Sequence, residues 1–292
     1  MIETNWMITN ALRWGVDYLK DSGVDSPKLD AEVLLMHSLN IGRIKLHLIF
    51  DKILNAKERE IYKECIERRS KREPVAYITG HKEFRSLDFQ VTHDVLIPRP
   101  ETETLVDETI TECTQKKDKR NVIRILELGT GSGVVAVSLA KEINPIALIA
   151  TDISLDILKI ARDNAHLHQV NQHISFVVGR YLEAIRDEAN RFDCIVSNPP
   201  YLSKSDWEDA QPEIRDHEPM DSLYGGTDGL DFYRAIIPDA STLLNEDGWL
   251  ILEVGMGQAD LISGMIKETG NYTRVVMIQD LSGINRVVKA QK

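Results

Sequence analysis

Asn198-Pro199-Pro200-Tyr201 stands at the end of the apolar run Phe192–Val196, and its residue types suit the holding of a planar nitrogen. Proline has no N–H, so the turn offers carbonyl acceptors and few donors. The prolines also bias Asn198 and Pro199 toward extended backbone, which fixes the loop. An amide or amino group can then give one hydrogen to the Asn198 side-chain oxygen and another to the Pro199 carbonyl. Two such bonds hold the nitrogen, favour a pyramidal geometry and free its lone pair for attack, while Tyr201 can cover the flat group by stacking. A rigid strand-ending turn with a surface aromatic would use the same residues, so the tetrapeptide by itself leaves both readings open.

Upstream, Ile125-Leu126-Glu127-Leu128 runs into Gly129-Thr130-Gly131-Ser132-Gly133, which opens a helical pattern at Val134–Lys141. Glycines let the backbone turn tightly and approach a ligand without Cβ clashes, and the helix N-terminus offers free N–H groups. Val134 stands where a GxGxxG fingerprint needs its last glycine, so a dinucleotide site is poorly matched. Asp152 ends the next strand pattern and puts a carboxylate beside the same crevice, where it can accept hydrogen bonds from ribose hydroxyls. An ordinary strand-to-helix turn would also explain the glycines taken alone. The order of the three features is what makes the combination specific: an adenosyl cofactor at one strand end and a planar amide or amine at another.

The elements that must position these residues follow from periodicity. Apolar runs at Ile123–Leu128, Ala147–Ala150, Ile174–Val178, Phe192–Val196 and Trp249–Val254 alternate with helical patterns such as Leu155–His168 and Asp231–Leu244. This predicts an α/β fold with a mostly parallel sheet and helices on both faces. Only Gln279–Gly283 separates the runs Arg274–Ile278 and Ile284–Val288, too short for a parallel crossover, so the last strand is expected to be antiparallel. Residues 1–73 read as a small helical domain: Ile8, Ala11, Leu12, Gly15 and Leu19 share a face, Ser26-Pro27 supplies an N-cap and first-turn proline, and Asn55 with Glu58 has the pattern of a capping box. Ile61, Cys65 and Ile66 face inward on the helix that ends near Arg72, before Pro74. Val75–Thr79 and Leu87–Val91 read as strands around Gly80-His81, giving a β-hairpin linker over 74–95. The α/β domain then spans 96–292.

Composition narrows the class. With 292 residues, 42% hydrophobic and 28% charged, the chain has the make-up of a soluble protein with a real core, in one large domain or a large and a small one. Cys65, Cys113 and Cys194 form no CxxC pair, which argues for a reducing cytosol and against a disulfide framework or a zinc site; no metal is expected. Met1–Asn10 has no basic region leading into an apolar run, and no stretch approaches the ~20 apolar residues that span a bilayer. Residues 1–85 hold 15 Lys and Arg against 13 Asp and Glu, leaving 20 against 33 for the rest of a chain whose net charge is −11. An acidic catalytic half disfavours a nucleic-acid duplex and favours a protein or small molecule. The run Arg68-Arg69-Ser70-Lys71-Arg72 reads as a solvated helix end and His217 as a solvated loop histidine.

The glycine-rich loop, the acidic strand end and Asn-Pro-Pro-Tyr together resemble class I S-adenosylmethionine-dependent N-methyltransferases. Leu96-Ile97-Pro98-Arg99-Pro100-Glu101-Thr102-Glu103 is similar to the signature of one family, the peptide chain release factor N5-glutamine methyltransferases (HemK/PrmC). Arg72–Gly80, Arg215–Pro219 and Gly225–Tyr233 match it too, so the resemblance covers essentially the whole chain. It implies a seven-stranded sheet with its last strand antiparallel. It implies S-adenosylmethionine held by Gly129, Thr130, Gly131, Ser132 and Gly133, with Asp152 on the ribose, Tyr181 near the adenine and Asn198 at the reacting end. Asn198, Pro199, Pro200 and Tyr201 would bind the substrate, with Asn198, Pro199 and Tyr201 acting in catalysis. The implied substrate is the glutamine of the Gly-Gly-Gln motif in class 1 release factors, gripped by residues 1–73, while Pro98–Glu103 packs over the cofactor. A cytoplasmic monomer with no DNA partner is expected. Glu127 stands where the family commonly has Asp, and Gly179-Arg180-Tyr181 replaces an acidic-aromatic pair, putting Arg180 where a carboxylate would meet the adenine amine. A glutamine methyltransferase acting on a ribosomal protein, an adenine-N6 DNA methyltransferase and a non-enzymatic binding module remain as alternatives.

Overall fold

The short apolar periodicities of the first residues resolve into packed helices. The computed structural model describes residues 6–115, 121–183, 185 and 191–292. These fall into two units, Met1–His81 with Gln211–His217, and Lys82–Ala210 with Glu218–Lys292. In the first, α1 (Ile8–Asp21), α2 (Pro27–Leu39), α3 (Arg43–Leu48), α4 (Ala56–Ser70) and α5 (Val75–Thr79) enclose Ile8, Leu34, Leu35, Leu46, Tyr62 and Ile66. Gly15 lets α1 approach α4 closely: a Cβ there would lie 2.1 Å from the Tyr62 hydroxyl oxygen. The Asn55–Glu58 capping box forms with both hydrogen bonds. Ser26 makes no side-chain cap bond, although Pro27 does start α2.

Two expectations are corrected here. The strand expected at Val75–Thr79 is the helical turn α5, bracketed by Pro74 and by Gly80 in the left-handed region. Its β-rich composition yields to burial of Tyr77 and Ile78 on one side. The basic run is not solvated either. Arg69 is 6% exposed and pairs with Asp30 at 2.7 Å and Glu213 at 2.9 Å. Arg72 reaches Glu213 at 2.8 Å and Arg68 reaches Glu73 at 2.6 Å. His217 Nε2 lies 3.1 Å from the Lys71 carbonyl oxygen.

The second unit contains, in chain order, β1 (His81–Phe84, its first residue in the other unit), β2 (Leu87–Gln90), α6 (Thr102–Thr114), β3 (Ile123–Leu128), α7 (Val134–Glu142), β4 (Ile146–Asp152), α8 (Leu155–Leu167), β5 (Ile174–Val178), β6 (Phe192–Ser197) and α9 (Lys204–Glu208). After α10 (Pro212–Arg215), which belongs to the first unit, come α11 (Asp231–Leu243), β7 (Leu244–Glu253), α12 (Ala259–Glu268), β8 (Arg274–Gln279) and β9 (Asn285–Gln291). The hairpin is β1–β2: its second strand lies where Leu87–Val91 was expected, and its first is His81–Phe84 in place of Val75–Thr79. The main sheet has the order β5-β4-β3-β6-β7-β9-β8. β3 runs parallel to β4 and β6, as β4 does to β5 and β6 to β7. As expected, the last strand is antiparallel, pairing with both β7 and β8.

Alternate residues on the strands face two separate apolar layers. Ile125, Cys194, Val196 and Ile251 pack with α6, α7 and the hairpin residues Phe84 and Phe89, whereas Leu126, Leu128, Ile195 and Leu250 pack with α11 and α12. Burial on both faces is why the central strands read as nearly unbroken apolar runs. Cys113 and Cys194, distant in sequence, meet across one layer with their sulfurs 3.2 Å apart, both as free thiols. From β3 the chain first builds outward through β4 and β5, then returns to add β6 on the other side. Such a reversal of strand order leaves a crevice at the carboxyl ends of the two strands where it occurs. The glycine-rich loop leaves β3 there, and Asn-Pro-Pro-Tyr leaves β6.

Candidate active site

The loop after β3 turns through three left-handed glycines, Gly129, Gly131 and Gly133 (φ 72°, 54° and 83°). It is stitched to the end of β4: the Gly129 and Thr130 N–H groups both donate to the Thr151 carbonyl at 2.9 Å. At Gly133 a Cβ would press on Ala161 of α8 at 3.2 Å. Two carboxylates flank the turn. Thr130 Oγ1 donates to Glu127 at 2.7 Å. Asp152 accepts from the Gly131 N–H at 2.9 Å and the Ile153 N–H at 2.8 Å. Burial pushes the Glu127 carboxyl up to about 8, against the Thr130 hydrogen bond and with some help from the Asp152 charge. Burial also raises Asp152, opposed by its two backbone donors. A carboxylate has about four acceptor sites, so Asp152 retains capacity for hydroxyl donors.

The loop after β6 is held from several sides. Ser197 Oγ donates to the Leu128 carbonyl at 2.7 Å, locking the ends of β6 and β3 together. Asn198 Nδ2 donates to Thr102 Oγ1 at 3.0 Å. Gln258 Nε2 donates to the Tyr201 carbonyl at 2.8 Å while its Oε1 accepts from the Gly255 N–H at 3.0 Å. Gly225 and Gly229 allow a neighbouring segment to wrap the loop, since a Cβ would fall 2.6 Å from the Pro200 oxygen in one case and 2.3 Å from the Tyr201 oxygen in the other.

Both loops open on one cavity of about 1080 Å³ within the second unit. Gly129, Thr130, Gly131, Ser132, Asp152, Tyr181, Asn198 and Pro200 line it; Gly133, Pro199 and Tyr201 do not. Pro199 is buried and Tyr201 half-buried, with burial foremost in pushing the Tyr201 hydroxyl up to about 12. Pro98, Arg99 and Thr102 line the cavity as well, and Arg99 is held by Glu218 at 2.5 Å. Tyr181 has a positive φ of 53° and meets the edge of Phe232 at 5.3 Å. The Arg180 guanidinium lies 5.0 Å from the Tyr181 ring centroid. Glycines for close approach, a carboxylate with spare acceptor capacity and an aromatic wall fit an adenosyl group.

Glu253 and Gln258 escaped the sequence reading, and Thr102 was read only as part of the Leu96–Glu103 signature. Glu253 carried a usable signal, a lone acid closing the apolar run Leu250-Ile251-Leu252, as Glu127 and Asp152 do for theirs. Among the described residues no group of three or more His, Cys, Asp or Glu is placed to hold a metal ion, and no helix is long and apolar enough to cross a membrane.

A family profile described as the PrmC N-terminal domain matches residues 10–80, and one described as the methyltransferase small domain matches residues 107–213. A release factor glutamine methyltransferase of Geobacter sulfurreducens is 41% identical over 283 residues, covering 97% of this chain and 96% of that protein. One from Rhodopirellula baltica is 34% identical over 290 residues, covering 99% and 98%. Among solved structures, a methyltransferase from Pyrococcus furiosus superposes with a TM-score of 0.53 at 20% identity, over 72% of this chain and 91% of that one. That likeness bears on the fold.

Proposed function

This chain belongs to the family of release factor glutamine methyltransferases, and from that premise we propose how its own residues methylate a release factor. The chain is an S-adenosylmethionine-dependent enzyme that methylates a glutamine of peptide chain release factors. We assign the acceptor to the side-chain amide nitrogen (N5) of the Gly-Gly-Gln glutamine in class 1 factors. When bound, S-adenosylmethionine supplies a methyl on positively charged sulfur.

The protein's contribution is alignment, which can lower a barrier by about 7–11 kcal/mol. Gly129 and Gly131 bring the backbone close to the cofactor, Asp152 accepts from the ribose and Tyr181 walls the adenine. The Asn198 oxygen and the Pro199 carbonyl accept the two hydrogens of the glutamine amide, and Tyr201 bounds the loop. As the nitrogen takes the methyl it releases one proton to water, so no strong base is required. Residues 1–73 are assigned to gripping the release factor, and the enzyme to the cytoplasm, acting as a monomer. The observation that carries this reading is that one cavity is lined by both the Gly129–Ser132 loop and Asn198.

The test is mass spectrometry after incubation with S-adenosylmethionine and, in parallel, a class 1 release factor, a ribosomal protein preparation and an adenine-containing duplex. One added methyl on the Gly-Gly-Gln glutamine alone is expected. Methylation of the ribosomal preparation or the duplex in its place would overturn the assignment.

A further inference from the structure

The main sheet carries the site on one rim, at the carboxyl ends of β3, β4 and β6. Two further connections reach that rim. One is the turn that follows β7. The other joins β8 to β9, because β9 runs antiparallel to β7 and begins where β7 ends, with Val287 opposite Glu253. The Val254 N–H donates to the Arg286 carbonyl at 2.9 Å and ties the two connections together.

Both connections are tight turns locked by their own side chains. In Gly255–Gln258 the Gln258 N–H donates to the Gly255 carbonyl at 3.1 Å, and Gln258 Oε1 accepts from the Gly255 N–H at 3.0 Å. Gly257 takes the positive φ, 84°, that the third position of a type II turn requires. In Asp280–Gly283 the Gly283 N–H donates to the Asp280 carbonyl at 3.0 Å. Asp280 Oδ1 accepts there from the Ser282 N–H at 2.8 Å and the Ile284 N–H at 3.0 Å. The first turn also grips the substrate loop, through Gln258 Nε2 on the Tyr201 carbonyl at 2.8 Å. At the second position of each turn stands a large apolar residue: Met256 is 73% exposed and Leu281 fully exposed.

A single exposed leucine is ordinary. Here two apolar side chains stand on neighbouring turns whose backbone is already fixed, so covering them costs little ordering entropy. What covers them follows from the reaction. The methyl acceptor of this family is a side chain of a protein, so a protein surface comes down on this rim whenever a glutamine enters the Asn198 loop. Met256 stands two residues from the Gln258 that holds that loop.

We propose that Met256 and Leu281 form an apolar docking surface for the release factor, against which the surface flanking its Gly-Gly-Gln segment packs. This rests on the reading that a release-factor glutamine enters the Asn198 loop.

The test compares release-factor KM, kcat, S-adenosylmethionine Kd, thermal midpoint and oligomeric state of Met256→Ser, Leu281→Ser and the double variant with those of wild type. Each single change is expected to raise KM about 5- to 30-fold, the loss on truncating an interface anchor, at unchanged kcat and cofactor Kd. Both side chains are exposed, so the thermal midpoint should hold. Val122→Ser alters an exposed apolar residue just before β3, at the opposite rim, and should leave KM unchanged. An unchanged KM in the double variant, or an equal rise in Val122→Ser, would overturn the inference. So would an altered oligomeric state with KM retained, since a second copy of the chain would then be the occupant. If the wild-type enzyme leaves the release factor unmethylated, both readings fall; if it methylates normally and the variants match it, the docking surface alone falls.

Discussion

Asp152 and Asn198 divide the site between them, one facing the cofactor's hydroxyls and the other the substrate's nitrogen. Asp152 already accepts from two backbone N–H groups, so its carboxylate is fixed before any ligand arrives. Asp152→Ala is expected to weaken S-adenosylmethionine binding by ~1.5–3 kcal/mol, the worth of hydrogen bonds to a charged group, read as Kd by calorimetry. An unchanged Kd would remove Asp152 from the ribose. At this scale the chemistry that announces itself by local pattern was legible: the glycines, the acid at a strand end and the proline-bracketed amide. What stayed hidden are partners brought in by the fold. Asn198 and Thr102 stand 96 positions apart, and no local pattern joins them. Thr102 fell inside a recognised motif but gave no sign of which residue it would touch.

The elements do their positioning through a few tight contacts. Asn164 of α8, fully buried, accepts from the Gln90 N–H at 2.8 Å and donates to the Gln90 carbonyl at 2.9 Å and the Ser132 carbonyl at 2.8 Å. It fastens the hairpin and the glycine-rich loop to one helix. Asn164→Ala leaves the buried Ser132 carbonyl unpaired at about 1–3 kcal/mol and releases Gln90, and a lowered thermal midpoint together with weakened cofactor binding is expected. Gly15→Ala acts elsewhere, driving a methyl toward the Tyr62 hydroxyl; overpacking of this kind costs about 1–3 kcal/mol, measurable by urea denaturation. A midpoint unchanged in either variant would contradict the contact assigned to it. The parallel strands were legible because burial on both faces writes an apolar run, although β7 begins at Leu244 rather than at Trp249. Val75–Thr79 was misread because its β-rich residues fill one helical turn, whose ends are set by Pro74 and Gly80.

For the whole molecule, the membership of Gln211–His217 in the helical unit could not be read locally, because the Arg69–Glu213 pair joins positions 144 apart. Burial of acids in the larger unit has a consequence for the free protein. Glu127 is raised to about 8 and Glu253 to about 7, from an ordinary 4.5. As pH rises between 4.5 and 8, the unfolded chain has released these protons while the folded protein still holds them. Stability therefore falls as pH climbs through that window and levels off above it. The thermal midpoint is expected to drop from pH 5.5 to 8.5 (~3 pH units, spanning the shift) by more in wild type than in Glu127→Gln; an equal drop would contradict the assignment. The central claim is that one side chain, Asn198, holds the glutamine nitrogen while other residues hold the cofactor. Its most direct test is the single-turnover rate of methyl transfer to the Gly-Gly-Gln glutamine by Asn198→Ala, measured beside its S-adenosylmethionine Kd. The expected result is a rate lower by ~10²–10³, the usual loss on removing one preorganised hydrogen-bonding group, at an unchanged Kd. A near-normal rate would contradict it.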